Sequence, residues 1–172
     1  CLSDWSSDVC SSDLTSSLSL LLCPSDILEP TFVLYGIDVS TGASGPLVSL
    51  PTASYLAVFG VSEPDEWTHA TPGEGAFEGV RPVRFEEFRR GLSQTLLVGE
   101  RTMGKVPSTW LGVDVRGEDA GCRLAGNAAT HPNCSTCDEC EFDSRHVGGS
   151  NFLFSDGRVK LISQSIDSKE YQ

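Results

Sequence analysis

Residues Ser144 to Ser163 read SRHVGGSNFLFSDGRVKLIS, and this stretch decides the fold. Two runs of strand-forming residues flank Asp156-Gly157, a dipeptide suited to a two-residue type I′ turn because both of its positions need positive φ. A two-residue loop pairs Ser155 with Arg158, Phe154 with Val159, Leu153 with Lys160 and Phe152 with Leu161. Phe152, Phe154, Val159 and Leu161 then share one face, while Arg158 and Lys160 fall where they reach water. A slip of one residue would scatter the apolar set over both faces, so turn chemistry and pattern predict this register.

The same stretch carries a family resemblance. Arg145, His146, Gly148, Gly149, Asn151, Phe154, Asp156 and Gly157 reproduce Arg-His-x-Gly-Gly-x-Asn-x-x-Phe-x-Asp-Gly, with nine residues between His146 and Asp156. This resembles the C-terminal signature of a bacterial prepilin-like family, domain of unknown function 1559. Three further pieces resemble the family in the right order: Leu22-Cys23-Pro24-Ser25-Asp26, Ala53-Ser54-Tyr55, and GLSQTLLVGER from Gly91 to Arg101. The resemblance runs from Leu18 to the C-terminus.

That resemblance implies an α+β, mostly β, pilin-like globular head with an antiparallel sheet and long loops, against which an N-terminal helix packs. It implies an extracytoplasmic place in the cell envelope, anchored in the inner membrane or joined to a filament. The partners would be other pilin-like subunits or envelope assembly machinery. A prepilin cleavage site and a long apolar helix would lie upstream, whereas Leu18 to Leu22 is only a short apolar run. The chain is therefore read as a fragment open at both ends, reaching a membrane only through a pilin helix it lacks.

Composition agrees with a head of this kind. The 172 residues suit one domain, and 39% hydrophobic content is enough for a modest core. Acidic residues outnumber basic ones 24 to 12, a net charge of −12. This argues against a nucleic-acid partner, which needs clustered Lys and Arg. No run approaches the roughly 18 consecutive apolar residues that span a bilayer. Residues 1–14 are set apart, because Asp8 to Leu14 resembles the translated end of a sequencing adapter and the segment has no apolar periodicity. The reading is a non-native tail at 1–14 and a single head at 15–172, truncated at both ends, with a Cys-rich insertion at 117–143.

Between the motifs, Thr31 to Val39, Leu47 to Leu50, Tyr55 to Val61 and Trp110 to Val115 read as strands, and Thr95 to Val98 as a central one. Ser62 to Gly75 reads as an exposed loop containing Trp67, a candidate for a partner contact. Phe85 to Arg90 suits a helical turn, with Phe77, Phe85, Phe88 and Trp110 expected in the core. Glu100-Arg101 reads as a solvated strand end, and Ser165 to Gln172 as a polar segment without a cap.

The insertion holds the residues with the most chemistry. His131, Cys134, Cys137 and Cys140, followed by His146, place soft ligands at three-residue steps and form a zinc candidate. Zinc sites use separated pairs, however, and an iron–sulfur reading lacks its closing Cys-Pro. The oxidising compartment implied by the family favours disulfides. Cys23, Cys122, Cys134, Cys137 and Cys140 can make two bridges and leave one thiol, with connectivity open. Asp138, Glu139, Glu141 and Asp143 invite calcium by analogy with pseudopilin loops, but no Asp-x-Asp-x-Asp-Gly loop is present. Ser150, His146 and Asp156 do not make a nucleophile elbow, so His146 is expected to tether the start of the hairpin, near Asp167. No catalytic residue and no cofactor is expected. The function expected is a structural, surface-assembly head, not an enzyme; the alternative is an extracytoplasmic binding module with a Cys/His zinc site or an acidic calcium site.

Overall fold

The computed structural model describes residues 16–27, 29–38, 40–65, 75–77 and 81–172. The tail assigned to 1–14, Trp67 and most of the Ser62–Gly75 loop lie outside the described residues. The strands are β1 (Thr31–Ile37), β2 (Ser44–Pro51), β3 (Tyr55–Gly60), β4 (Leu96–Glu100), β5 (Ala125–Asn127), β6 (Gly149–Phe154) and β7 (Val159–Ser163), of which β1 and β3 are rich in β-branched and aromatic residues. One short helix, α1 (Ser168–Tyr171), follows. β1 and β2 make an antiparallel ribbon of their own. The other five form one sheet in the order β5-β3-β4-β6-β7, antiparallel throughout except that β5 runs parallel to β3. The expected α+β, mostly β fold is what forms, and the strand read as central is the middle one.

The hairpin forms one residue out of the expected register. Phe152 faces Lys160, Leu153 faces Val159, Asn151 faces Leu161 and Ser150 faces Ile162. The turn chemistry explains the shift, because Gly157 has a φ of +85° and Asp156 is not left-handed. Gly157 N donates to Phe154 O at 2.9 Å and Phe154 N to Arg158 O at 2.8 Å. The loop is thus the three-residue Ser155–Gly157, a turn closed by a left-handed glycine. Phe152, Phe154 and Ile162 point into the core, whereas Val159 and Leu161 turn to the opposite face and are 64% and 49% exposed. Arg158 stays near the core side by laying its guanidinium over the Phe154 ring, 4.6 Å from the centroid.

The core gathers Leu56 and Val58 from β3, Phe152 and Phe154 from β6, Ile162 from β7, and Ala128, Phe142 and Tyr171. Phe152 meets Phe142 and Tyr171 edge to face, with centroids 5.1 and 5.8 Å apart. Gly99 leaves room for this packing, since a Cβ there would lie 2.5 Å from the Phe152 ring and 2.6 Å from Phe142. The C-terminal segment is docked rather than left as an uncapped polar tail. Asp167 caps α1 by accepting from Lys169 N at 2.9 Å, and Tyr171 is buried.

Three further expectations change. Trp110 to Val115 is a run of turns and bends, because Thr109 Oγ1 and Asp114 capture the backbone N–H groups of Leu111 and Arg116. Leu111 and Val113 still pack on Phe32, Leu34 and Leu50, a second small cluster. Phe77, Phe85 and Trp110 are exposed instead of core. Phe85 lies on a single 3₁₀ turn, Phe85–Glu87, which offers no face wide enough to bury it, and it settles against the half-buried Phe88 at 5.9 Å.

The 117–143 insertion is mostly turns, yet it supplies β5 and Phe142. It also holds two disulfides, Cys122–Cys140 and Cys134–Cys137, and leaves Cys23 as a buried thiol. The first bridge spans 18 residues and the second only 3. Loop-closure entropy then predicts that replacing the Cys122–Cys140 pair by serine costs about 3 kcal/mol, against about 2 kcal/mol for the other pair. Urea denaturation of the two double variants under non-reducing conditions measures the difference, and the reverse order would contradict it.

Candidate functional site

The four motif segments are far apart in sequence, yet they converge at one end of the sheet. Glu100 closes β4 and is 3% exposed. It is not the solvated strand end expected, because both of its oxygens are engaged. Oε2 accepts from Asn151 N at 2.7 Å, and Oε1 lies 3.2 Å from His146 Nε2. Arg101, next in sequence, is also buried. Its guanidinium donates to the carbonyls of Glu139 at 3.4 Å, of Cys140 at 3.1 Å and of Cys122, and to Ser108 Oγ at 2.8 Å. Arg101 therefore ties together the backbone of both ends of the Cys122–Cys140 bridge. Burial pushes its guanidinium down to about 9, with Asp143 pulling the other way, so it remains charged at neutral pH.

His146 sits in the bend before β6, where Gly148 takes a φ of +90°. Its Nε2 is 3.5 Å from Cys23 Sγ as well as 3.2 Å from Glu100, and its backbone N donates to Ser144 Oγ at 3.1 Å. The tether expected of His146 is present, but it runs to Glu100 and Cys23; Asp167 is instead the cap of α1. Arg145 completes the junction by donating from Nε to Asp26 Oδ1 at 2.7 Å. Asp26 Oδ2 accepts from Met103 N at 2.9 Å. The Cys23–Asp26 turn is closed by Asp26 N on Cys23 O at 3.1 Å, and Cys23 N donates to Ser54 Oγ at 3.0 Å. Burial raises the Tyr55 phenol, and nearby Cys23 and Glu100 raise it further.

Asn133 is the joint that sequence reading missed. It holds a φ of +62°, accepts from Ser144 N at 2.7 Å and Ser150 Oγ at 3.0 Å, and donates to Gly149 O at 3.4 Å. Asparagine is among the residues that tolerate the left-handed region, and its place in His131-Pro132-Asn133-Cys134 was the available signal.

The row His131, Cys134, Cys137, Cys140 and His146, weighed as a zinc candidate behind disulfides, does not assemble into a site. Cys134 and Cys137 are bonded to each other and Cys140 to Cys122, so none of the three offers a thiolate. His131 Nδ1 turns to Pro132 O at 3.1 Å, while His146 faces Cys23. The acidic residues also part: Asp138 accepts from Cys140 N, Glu141 from Thr130 Oγ1, and Asp143 from Thr102 N. Ser150 binds Asn133 and Asp156 binds Arg158 N, so neither joins His146 in a triad. Cys23, Glu100 and His146 do come together, with one donor atom from each lying within 4.8 Å of the others. Both Cys23 and Glu100 address the same ring nitrogen. A Cys–His–Glu relay needs them on opposite nitrogens, so this set has no proton path from thiol to carboxylate through the ring.

A family model described as "Protein of unknown function (DUF1559)" matches residues 3–169. The match begins within the segment set apart as a tail. No curated protein and no solved structure matches the chain.

Proposed function

This chain belongs to the DUF1559 family, and on that premise we propose that it is a non-enzymatic head of a pilin- or pseudopilin-like envelope protein. The observation that carries the reading is the unequal treatment of the two faces of the sheet. One face is closed by Phe142, Tyr171 and Ala128. On the other, Ala57, Val98, Leu153 and Val159 stand in one row across β3, β4, β6 and β7, with Leu161 beside them. Val98 and Leu153 are only half-buried, and Val159 and Leu161 are exposed. An apolar helix preceding the head, as in pilins, is the occupant this face suits. Secretion into an oxidising compartment accords with the two disulfides, and the acidic net charge of −12 suits a head in water.

In this reading the Cys23, Glu100, Arg145 and His146 junction is a latch. It fixes the terminal hairpin to the first turn of the head, so that the sheet presents a rigid face to the helix. The test is to express the complete reading frame of the native gene and fractionate the cells. The expected result is recovery with the inner membrane and slow hydrogen exchange at β7 amides, faster by at least tenfold in the isolated head. A complete frame that encodes no apolar segment before Ser16, with the protein found free of membranes, would refute the reading.

A further inference from the structure

We propose that Cys23, Glu100 and His146 form a binding site for a zinc-class divalent ion, a function that goes beyond the role of a structural head. The spacing is the first argument. A tetrahedral ion about 2.3 Å from sulfur and about 2.0 Å from nitrogen and oxygen holds its nitrogen and sulfur about 3.5 Å apart, and its nitrogen and oxygen about 3.3 Å apart. The observed Nε2–Sγ and Nε2–Oε1 separations are 3.5 and 3.2 Å. A charge-assisted hydrogen bond from imidazolium to carboxylate would close to about 2.7–2.9 Å. Glu100 reaches 2.7 Å on its other oxygen, against Asn151 N, so nothing about the carboxylate forbids a short contact.

The second argument is charge. Cys23 and Glu100 are 6% and 3% exposed, and both are acceptors of a cation once the thiol has lost its proton. A thiolate, a carboxylate and a neutral imidazole carry a charge of −2, which a divalent ion cancels where a single imidazolium would leave half of it. The third is redox state. Two bridges leave one of the five described cysteines over, and the one left is Cys23, buried beside Glu100 and His146, so the sulfur a thiolate ligand needs is available at this junction.

The ligands are also held from behind. Asn151 N fixes Glu100 and Ser54 Oγ fixes the Cys23 backbone, each from a distant segment, and Ser144 Oγ fixes the His146 backbone within its own bend. His146 is 30% exposed, which gives the ion a way in and a water for its fourth position. Binding releases the Cys23 thiol proton to solvent and takes His146 as the neutral imidazole, so protons compete with the ion for both ligands.

The experiment is titration of the chelator-treated chain with Zn²⁺ alone, and with Co²⁺ as a spectroscopic stand-in. One ion per chain is expected, with a sulfur-to-cobalt charge-transfer band. Cys23→Ser and His146→Gln should each weaken binding by more than about 100-fold, the upper end of what losing an outer partner costs. Because both substitutions also remove contacts of the junction, native alkylation is measured on the unsubstituted chain, where Zn²⁺ should slow modification of Cys23 at least tenfold. No stoichiometric uptake, a cobalt spectrum without the sulfur band, or unchanged alkylation would overturn the site. None of these outcomes depends on whether a helix covers the sheet.

Discussion

Arg101→Lys is expected to lower stability by about 2–5 kcal/mol, far more than the nominal similarity of the two side chains suggests. Arg101 reaches Glu139 and Cys140 carbonyls with one terminal nitrogen and Ser108 and the Cys122 carbonyl with the other. An ammonium is a single point and cannot span both sides of this fork. At least one buried carbonyl is left without a donor, and each such loss costs about 1–3 kcal/mol. The remaining cation is also harder to bury, because a compact ammonium is more strongly hydrated than a guanidinium. Urea denaturation under non-reducing conditions measures the loss; a shift within about 0.5 kcal/mol, as for a surface substitution, would show that the fork carries no stability. Because the acceptors are the carbonyls of Cys122 and Cys140, the cost should shrink when Cys122 and Cys140 are both serine. A free loop can turn those carbonyls to water, and the two changes would then be non-additive.

What the sequence made legible was the pieces, and what it hid was their meeting. The alternation of Phe152, Phe154 and the residues after Gly157 was enough to find the hairpin. Its register was not, since Asp-Gly serves both a two-residue loop and the second half of a three-residue one, and only the φ of Asp156 separates them. The strand at Leu96–Glu100 was readable from its β-branched and aliphatic run, but the burial of Glu100 and Arg101 was not. A charged pair at a strand end reads as solvent-facing unless its partners are known, and those partners come from Asn151, His146 and the carbonyls of the insertion, 21 to 51 residues away. The site was legible to the same degree. Cys23, Glu100 and His146 each lie in a quoted motif, yet local spacing pointed to the cysteine row at 134–140, where three-residue steps favour a bridge between neighbours as readily as an ion. Asn133 left almost no trace, because one asparagine before a cysteine is unremarkable until it caps two segments at once.

Phe142→Ala is expected to cost about 3–5 kcal/mol, at the upper end of what truncating a core aromatic removes. Phe142 is 1% exposed and meets Phe152 edge to face. Its ring rests over Gly99 and Gly126, where added Cβ atoms would come within 2.6 and 2.7 Å of it. Glycines have no side chains to swing into a void, so the space left by the ring stays open and the surroundings cannot collapse to recover contacts. This decides what the 117–143 insertion is. A loop carried only for recognition would tolerate the change, with the sheet unaffected and slow exchange retained at β4 and β6. A loop that completes the core would lose global stability and protection across the sheet together. The packing of Phe142 between β5 and β6 favours the second outcome, and Val147→Ala, at a bend residue 98% exposed, supplies the contrast at about 0.5 kcal/mol or less. Hydrogen exchange across β3, β4 and β6 in both variants separates the two cases: equal protection in Phe142→Ala and Val147→Ala would mean the insertion is a detachable surface.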